Sequence, residues 1–293
     1  MTLAADLEGE IVSADSRQVY KLLDIGTAKP SPADRRRIRH HFVDELLPDR
    51  DFNAGEFGLQ GRDRIDQIIR RHRLPIIVGG SGLYVQSLID GFFEGPGADK
   101  EYRAFLEHRL AMEGIAALIE ALKEIDPEAA SRIDPTKPRR IIRALEVFHL
   151  TGKRLSELHR EKRVTIDFHF AMYGLEWQRS LLYQRIDARC NMMLQNGLLK
   201  EVEELERKGY SDALNSLNTV GYAEAFAYRR GEIGYDELVR LFKQNSRRYA
   251  KRQLTWFRKD RRICWIGVKG PSGLKDAAAE ILARFRATSP CKG

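Results

Sequence analysis

The chain has 293 residues with a formal charge of +8, and 43% hydrophobic against 31% charged residues. This composition excludes a largely disordered chain and fits one large domain with an insertion or two modest ones. The positive excess points to an anionic partner, nucleic acid ahead of membrane because no basic amphipathic anchor stands out, and the scattered Cys190, Cys264 and Cys291 exclude a disulfide framework or a CxxC metal site.

Residues 10–12 read as a short buried strand that turns abruptly polar at Ser13, Ala14, Asp15 and Ser16. Residues 58–73 form a basic amphipathic segment. Residues 74–78 read as a second strand, with Pro75 at its start where strands tolerate proline. It runs into Gly79, Gly80, Ser81 and Gly82 before a helical pattern over 83–89. Two strands ending in small or polar residues, separated by that amphipathic segment, fit a parallel α/β sheet. Ligands then lie beyond the carboxyl ends of the strands, where Asp15 and Ser81 would face one crevice. Residues 101–122 are helical and charged, and 134–138 form a turn into a helix over 139–150 closed by Gly152. Strands are expected over 168–175 and 262–268. Between them, Leu182, Ile186, Met193, Leu194, Leu198, Val202 and Leu205 recur at helical spacing as a core stripe ended by Gly209. The tail from 288 is expected to fray. No apolar run approaches membrane-spanning length and residues 1–9 hold no signal core, so a cytoplasmic location is expected.

Three places carry chemistry. Asp15 at a strand end is either a helix N-cap or a carboxylate presented to a ligand, and spacing leaves both open. The 79–82 turn offers backbone N–H groups and the Ser81 hydroxyl to an anion at a helix N-terminus, or is a plain strand-to-helix turn. Over 247–262, Arg247, Arg248, Lys251, Arg252, Arg258, Lys259, Arg261 and Arg262 surround Tyr249, Trp256 and Phe257. That pattern suits phosphates and stacked bases, and equally a solvated basic helix with a buried tryptophan.

The string GEIVSADSRQVY…DIGTAKP over 9–30 resembles the signature of the tRNA dimethylallyltransferases. GGSGLY at 79–84, PRRIIRALEV at 138–147, NTVGYAEA at 218–225 and KRQLTWFRKD at 251–260 follow in that family's order. The resemblance implies a P-loop-kinase-like parallel α/β core with helical insertions. It implies transfer of a dimethylallyl group from dimethylallyl pyrophosphate to the N6 amine of the adenosine beside the anticodon in tRNA, with Mg2+ as cofactor and a monomeric enzyme. Asp15, Ser81 and Arg143 would be catalytic. The tRNA contacts would be Asp15, Ser16, Arg17, Gln18, Ser81, Arg103, Arg139, Arg140, Arg143, Thr219, Val220, Gly221, Tyr222, Lys251, Arg252, Gln253, Trp256 and Arg258. For Arg103 and Arg143 the alternative is a solvated helix face.

The implied division is core over 1–100 and 136–180, a helical insertion over 101–135, a tRNA-embracing segment over 181–246, and a basic segment with the final strand and helix over 247–293. The chemistry accounts for the residue types. An adenine amine is a poor nucleophile, so a fixed carboxylate such as Asp15 helps by orienting it and accepting its proton. The base must leave its stack to be reached, and polar residues such as Ser16, Arg17 and Gln18 suit its edge.

The family ordinarily begins with a strand and a GxxxxGK[ST] loop that cradles the pyrophosphate. The only Gly-Lys pair here, Gly152-Lys153, lacks the earlier glycine and the strand. Met1 lies within what resembles the helix after that loop, so the first strand and the loop are expected to be missing and transfer by the chain as written to be weak. Either the start is placed too late, which the retention of Asp15 and Arg143 favours, or the form is a shortened one. The rival function is a catalytically inactive tRNA-binding remnant; a small-molecule kinase fits the tRNA-contacting motifs poorly.

Overall fold

The computed structural model describes residues 1–91, 97, 99–158, 160, 168–270 and 273–288; Cys291 and the end of the tail expected to fray lie outside them. The chain divides into two compact units, Met1–Leu88 with Asp167–Gly293, and Ile89–Ile166.

In the first unit, α1 (Thr2–Asp6) leads into β1 (Gly9–Ser13), which is buried from Glu10 onward. α2 (Pro32–Arg37), β2 (His40–His41), α3 (Ala54–Arg70), β3 (Leu74–Val78) and α4 (Gly82–Asp90) follow. β1 is central and parallel to both neighbours, with Ile11 beside His40 and Ser13 beside Val78. Among the described strands β3 lies at an edge, which is where Pro75, lacking an N–H, costs no ladder bond. α3 starts at Ala54, where Asn53 and Glu56 form a reciprocal capping box, and it carries most of the basic amphipathic segment over 58–73. Its buried Phe57, Ile65 and Ile68 recur at helical spacing. Phe57 stacks on Tyr84 at 4.6 Å and tilts against Phe42 at 4.9 Å; each such ring buried contributes about 1.5–3 kcal/mol.

The second unit is helical: α5 (Lys100–Glu113), α6 (Ile115–Ile125), α7 (Pro127–Arg132), α8 (Pro138–Thr151) and α9 (Leu155–Leu158). The single helix expected over 101–122 is broken at Gly114, whose φ of 80° glycine adopts without a Cβ penalty. Gly152 closes α8 in the left-handed region, as expected. The division foreseen from sequence is not the observed one. Residues 136–158 belong with the helical unit rather than the sheet, because Ile141, Ile142 and Leu145 of α8 are buried in one cluster with Leu106 of α5 and Leu118 and Leu122 of α6.

The first unit resumes with β4 (Met172–Trp177), α10 (Arg179–Gln195), α11 (Leu198–Arg207), α12 (Tyr222–Arg229), α13 (Tyr235–Phe257), β5 (Ile263–Val268) and α14 (Gly273–Thr288). The apolar stripe expected over 182–205 is split into α10 and α11 at Asn196 and Gly197, and its Met193, Leu198, Val202 and Leu205 join the main core with Val12, Leu23 and Phe226. β4 and β5 pair in parallel from Met172–Ile263 to Trp177–Val268. Among the described residues this ladder is separate from β2-β1-β3. No helix among the described residues is long and apolar enough to cross a membrane.

Candidate active site

The C-terminal ends of β1 and β3 are tied together just past the ladder. The Ala14 N–H donates to the Val78 carbonyl at 2.8 Å and the Ser81 N–H to the Ala14 carbonyl at 3.2 Å. The Ser16 N–H donates to Ser81 Oγ at 3.1 Å, so the two turns expected to share a crevice do meet. Gly79 is required by sterics, since a Cβ there would fall 2.2 Å from the Ala14 oxygen. Half-buried Asp15 accepts at Oδ1 from the N–H groups of Arg17 at 2.8 Å and Gln18 at 3.4 Å. The carboxylate caps its own turn, and the same bonds set its direction. Gln18 bridges further: its Oε1 accepts from Ser13 Oγ and its Nε2 donates to the Thr27 carbonyl. In the 79–82 turn the Ser81 amide is spent on Ala14, so the nest of backbone donors foreseen for an anion is already partly used.

One face of α13 covers that turn. Gln253 Nε2 donates to the Gly80 carbonyl at 2.9 Å, and a Cβ on Gly82 would meet the Trp256 ring at 2.3 Å. Tyr249 lies one turn earlier, its hydroxyl beside Ser81 and Gln253; burial foremost, and then the charge of Asp15, push its pKa up. Tyr249, expected with Trp256 and Phe257 as a ring for stacked bases, shares this face with Gln253 and Trp256 at i, i+4, i+7 spacing. Trp256 is 39% exposed, so the buried tryptophan of the alternative reading is not found. Lys251 and Arg252 are exposed, with Arg252 over the Tyr249 ring at 5.5 Å. Arg258 is paired with Glu176 at 2.8 Å and Arg247 with Asp187.

The expected RNA contacts of the NTVGY motif need correction at Tyr222. Its side chain is fully buried and its hydroxyl donates to Glu201 at 2.6 Å, because the ring fills the space left by the missing Cβ of Gly26. Gly221 is buried as well, its N–H donating to the buried Glu224, while Thr219 and Val220 are half-buried.

Within the helical unit, Arg103 and Arg143 both donate to Glu146 Oε2 at 2.8 Å. Neither belongs to a plain solvated face. Glu146 has no exposed side-chain surface; burial alone would raise its pKa, but hydrogen bonds from the two arginines outweigh it and hold the carboxyl below its ordinary value. Glu146 was missed in the sequence, where only its position three residues after Arg143 hinted at a partner. Arg139 and Arg140 are exposed in the first turn of α8, a helix end where the dipole disfavours cations. Among the described residues no three His, Cys, Asp or Glu side chains gather into a metal site. Asp15 is a carboxylate at the crevice, and a Mg2+ ion held by one or two protein oxygens and substrate phosphates would need no such cluster.

The model of the IPP transferase family matches residues 18–260. A tRNA dimethylallyltransferase of Pelotomaculum thermopropionicum is 42% identical, covering 95% of this chain and 89% of its own. One from Geobacillus thermodenitrificans is 44% identical over 96% and 89%. Among solved structures, the full-length tRNA isopentenylpyrophosphate transferase of Bacillus halodurans aligns with a TM-score of 0.69 at 37% identity, over 98% of this chain and 91% of that one. A eukaryotic dimethylallyltransferase acting on tRNA aligns at 0.83 and 25% identity, over 99% and 76%. With the family's pattern matched across 18–260 and relatives of this identity aligned over nearly the whole chain, the chain belongs to the IPP transferase family.

Proposed function

We propose that this chain transfers a dimethylallyl group from dimethylallyl pyrophosphate to the exocyclic N6 amine of the adenosine beside the anticodon in tRNA, in the cytoplasm and as a monomer. The observation that carries the reading is the bond from the Ser16 N–H to Ser81 Oγ, which holds the Asp15 turn against the 79–82 turn beyond the ends of β1 and β3. The names of the curated relatives support it, as does the tRNA-acting eukaryotic neighbour.

In the reaction, C1 of the allyl group bonds to N6 as its C–O bond breaks. The electron pair of that bond leaves with pyrophosphate, and the amine proton passes to the Asp15 carboxylate and then to solvent. Because the amine lone pair is delocalised, Asp15 contributes by fixing the N–H direction and by offsetting the positive charge that develops on nitrogen. Arg17, Gln18 and the Tyr249 ring surround the place where an extruded base would be held. Lys251 and Arg252 supply cations for the RNA backbone. Arg103 and Arg143, oriented by Glu146, are a preset guanidinium pair for anionic oxygens, with Arg139 and Arg140 one turn before Arg143 on α8. Mg2+ bound with the pyrophosphate would supply charge neutralisation to it.

The test is transfer of label from radiolabelled dimethylallyl pyrophosphate to tRNA, run beside transfer of label from ATP to a nucleotide. Label in tRNA alone is expected. Tight tRNA binding with no transfer would replace the enzyme reading with a binding one.

A further inference from the structure

Glu201 of α11 aims its carboxylate at the loop over 24–30. Oε2 accepts from the N–H of Asp24 at 3.0 Å and of Ile25 at 2.7 Å, and Oε1 from the N–H of Gly26 at 3.2 Å and the Tyr222 hydroxyl at 2.6 Å. Four donors on one carboxylate are charge-assisted bonds, roughly twice as strong as neutral ones. Tyr222 stays a donor, since burial and then the Glu201 charge raise its pKa. Its ring also sets the seat of the loop, because a Cβ on Gly26 would fall 2.4 Å from it.

The loop in turn grips the candidate site. The Thr27 and Ala28 carbonyls accept from Gln18 Nε2 at 3.3 and 3.5 Å. The Gln18 N–H is one of the two donors to Asp15 Oδ1, and the Arg17 N–H beside it is the other. Lys29 anchors the far end, with a buried ammonium that donates to the Tyr20 carbonyl and pairs with Asp24 and Asp44. An apolar pair would pack α11 against this loop equally well, but it would leave three consecutive amides unserved and the loop free to shift.

We propose that Glu201 and Tyr222 are positioning residues for Asp15: they fasten the 24–30 loop, the loop holds Gln18, and Gln18 sets the direction of the carboxylate that receives the amine proton. The task assigned to Asp15 rests on the transfer reaction proposed above. The relay itself is a property of the folded chain.

The test uses Tyr222→Phe, which keeps the ring, and Glu201→Gln, whose single carbonyl oxygen serves only part of the donor set. Single-turnover transfer should fall about tenfold to a hundredfold, the loss typical of a displaced catalytic group. Affinity for tRNA should stay within about threefold, since the step lost is chemical. In an Asp15→Asn background, Glu201→Gln should add little further loss, because the two act through one group. Amide hydrogen exchange at Arg17 and Gln18 should accelerate in both single variants. Fully additive losses, or unchanged exchange at Arg17 and Gln18, would overturn the inference. A parent chain that transfers no label sinks the proposed reaction instead, and exchange at Arg17 and Gln18 still decides the relay.

Discussion

The side-chain amide of Gln253 donates to the carbonyl of Gly80 at 2.9 Å, across a separation of 173 residues. That bond fastens the basic helix α13 to the glycine turn after β3 and makes the close approach there a matter of missing side chains. A Cβ on Gly80 would fall 2.0 Å from Gln253 Nε2, the far end of a side chain that can swing aside, whereas one on Gly79 would fall 2.2 Å from the backbone oxygen of Ala14. Gly79→Ala is therefore expected to destabilise by about 1–3 kcal/mol, as overpacking against a fixed neighbour does. Gly80→Ala should cost less. Denaturant unfolding of the two variants checks the order, and equal or reversed losses would refute it.

Asp15→Asn should lower single-turnover transfer on the order of a hundredfold or more, the usual weight of a positioned proton acceptor. Its tRNA affinity should hardly change, because an asparagine oxygen can still accept from the Arg17 and Gln18 amides that the carboxylate caps. A variant reacting at the parental rate would leave Asp15 as a turn cap only.

Neutralising Arg252 and Arg258 together should reduce the slope of log affinity for tRNA against log salt by roughly one to two, at about 0.7 per phosphate contact. Arg252 is exposed over Tyr249 and Arg258 is shared with Glu176, so RNA phosphates compete with an exposed pair. A salt titration of tRNA binding reads the slope. No change would mean that both arginines face solvent in the complex.

Glu146 predicts an acid-side dependence of stability. Burial opposes its ionisation, but the bonds from Arg103 and Arg143 prevail, so its folded pKa lies below 4.5. A depressed folded value means that the contribution is complete above the unfolded value and is lost as pH falls through the folded one. Glu146→Gln should therefore flatten the fall in thermal midpoint below about pH 4.5, and leave the shape of the curve near neutrality unchanged. Midpoints recorded from about pH 7 down to about pH 3 test this, and parallel curves for parent and variant would contradict it.

Local pattern was enough for several elements. The run 74–78, with Pro75 at its start and glycines after it, specified β3 to the residue, and polar residues after the first apolar run placed Asp15 at the end of β1. Period and punctuation are properties of neighbours in the chain, so they can be read without the fold. Which residues the motifs spend on one another was decided only by tertiary structure. Tyr222, expected as an RNA contact, has its side chain buried as a donor to Glu201, and Glu146, missed in the sequence, is the shared seat of Arg103 and Arg143. Glu201 meets Gly26 across 175 residues, and Gln253 meets Gly80 across 173. Such pairings depend on how helices and turns far apart in sequence are brought together, and residue spacing along one segment carries no record of a partner that arrives from another.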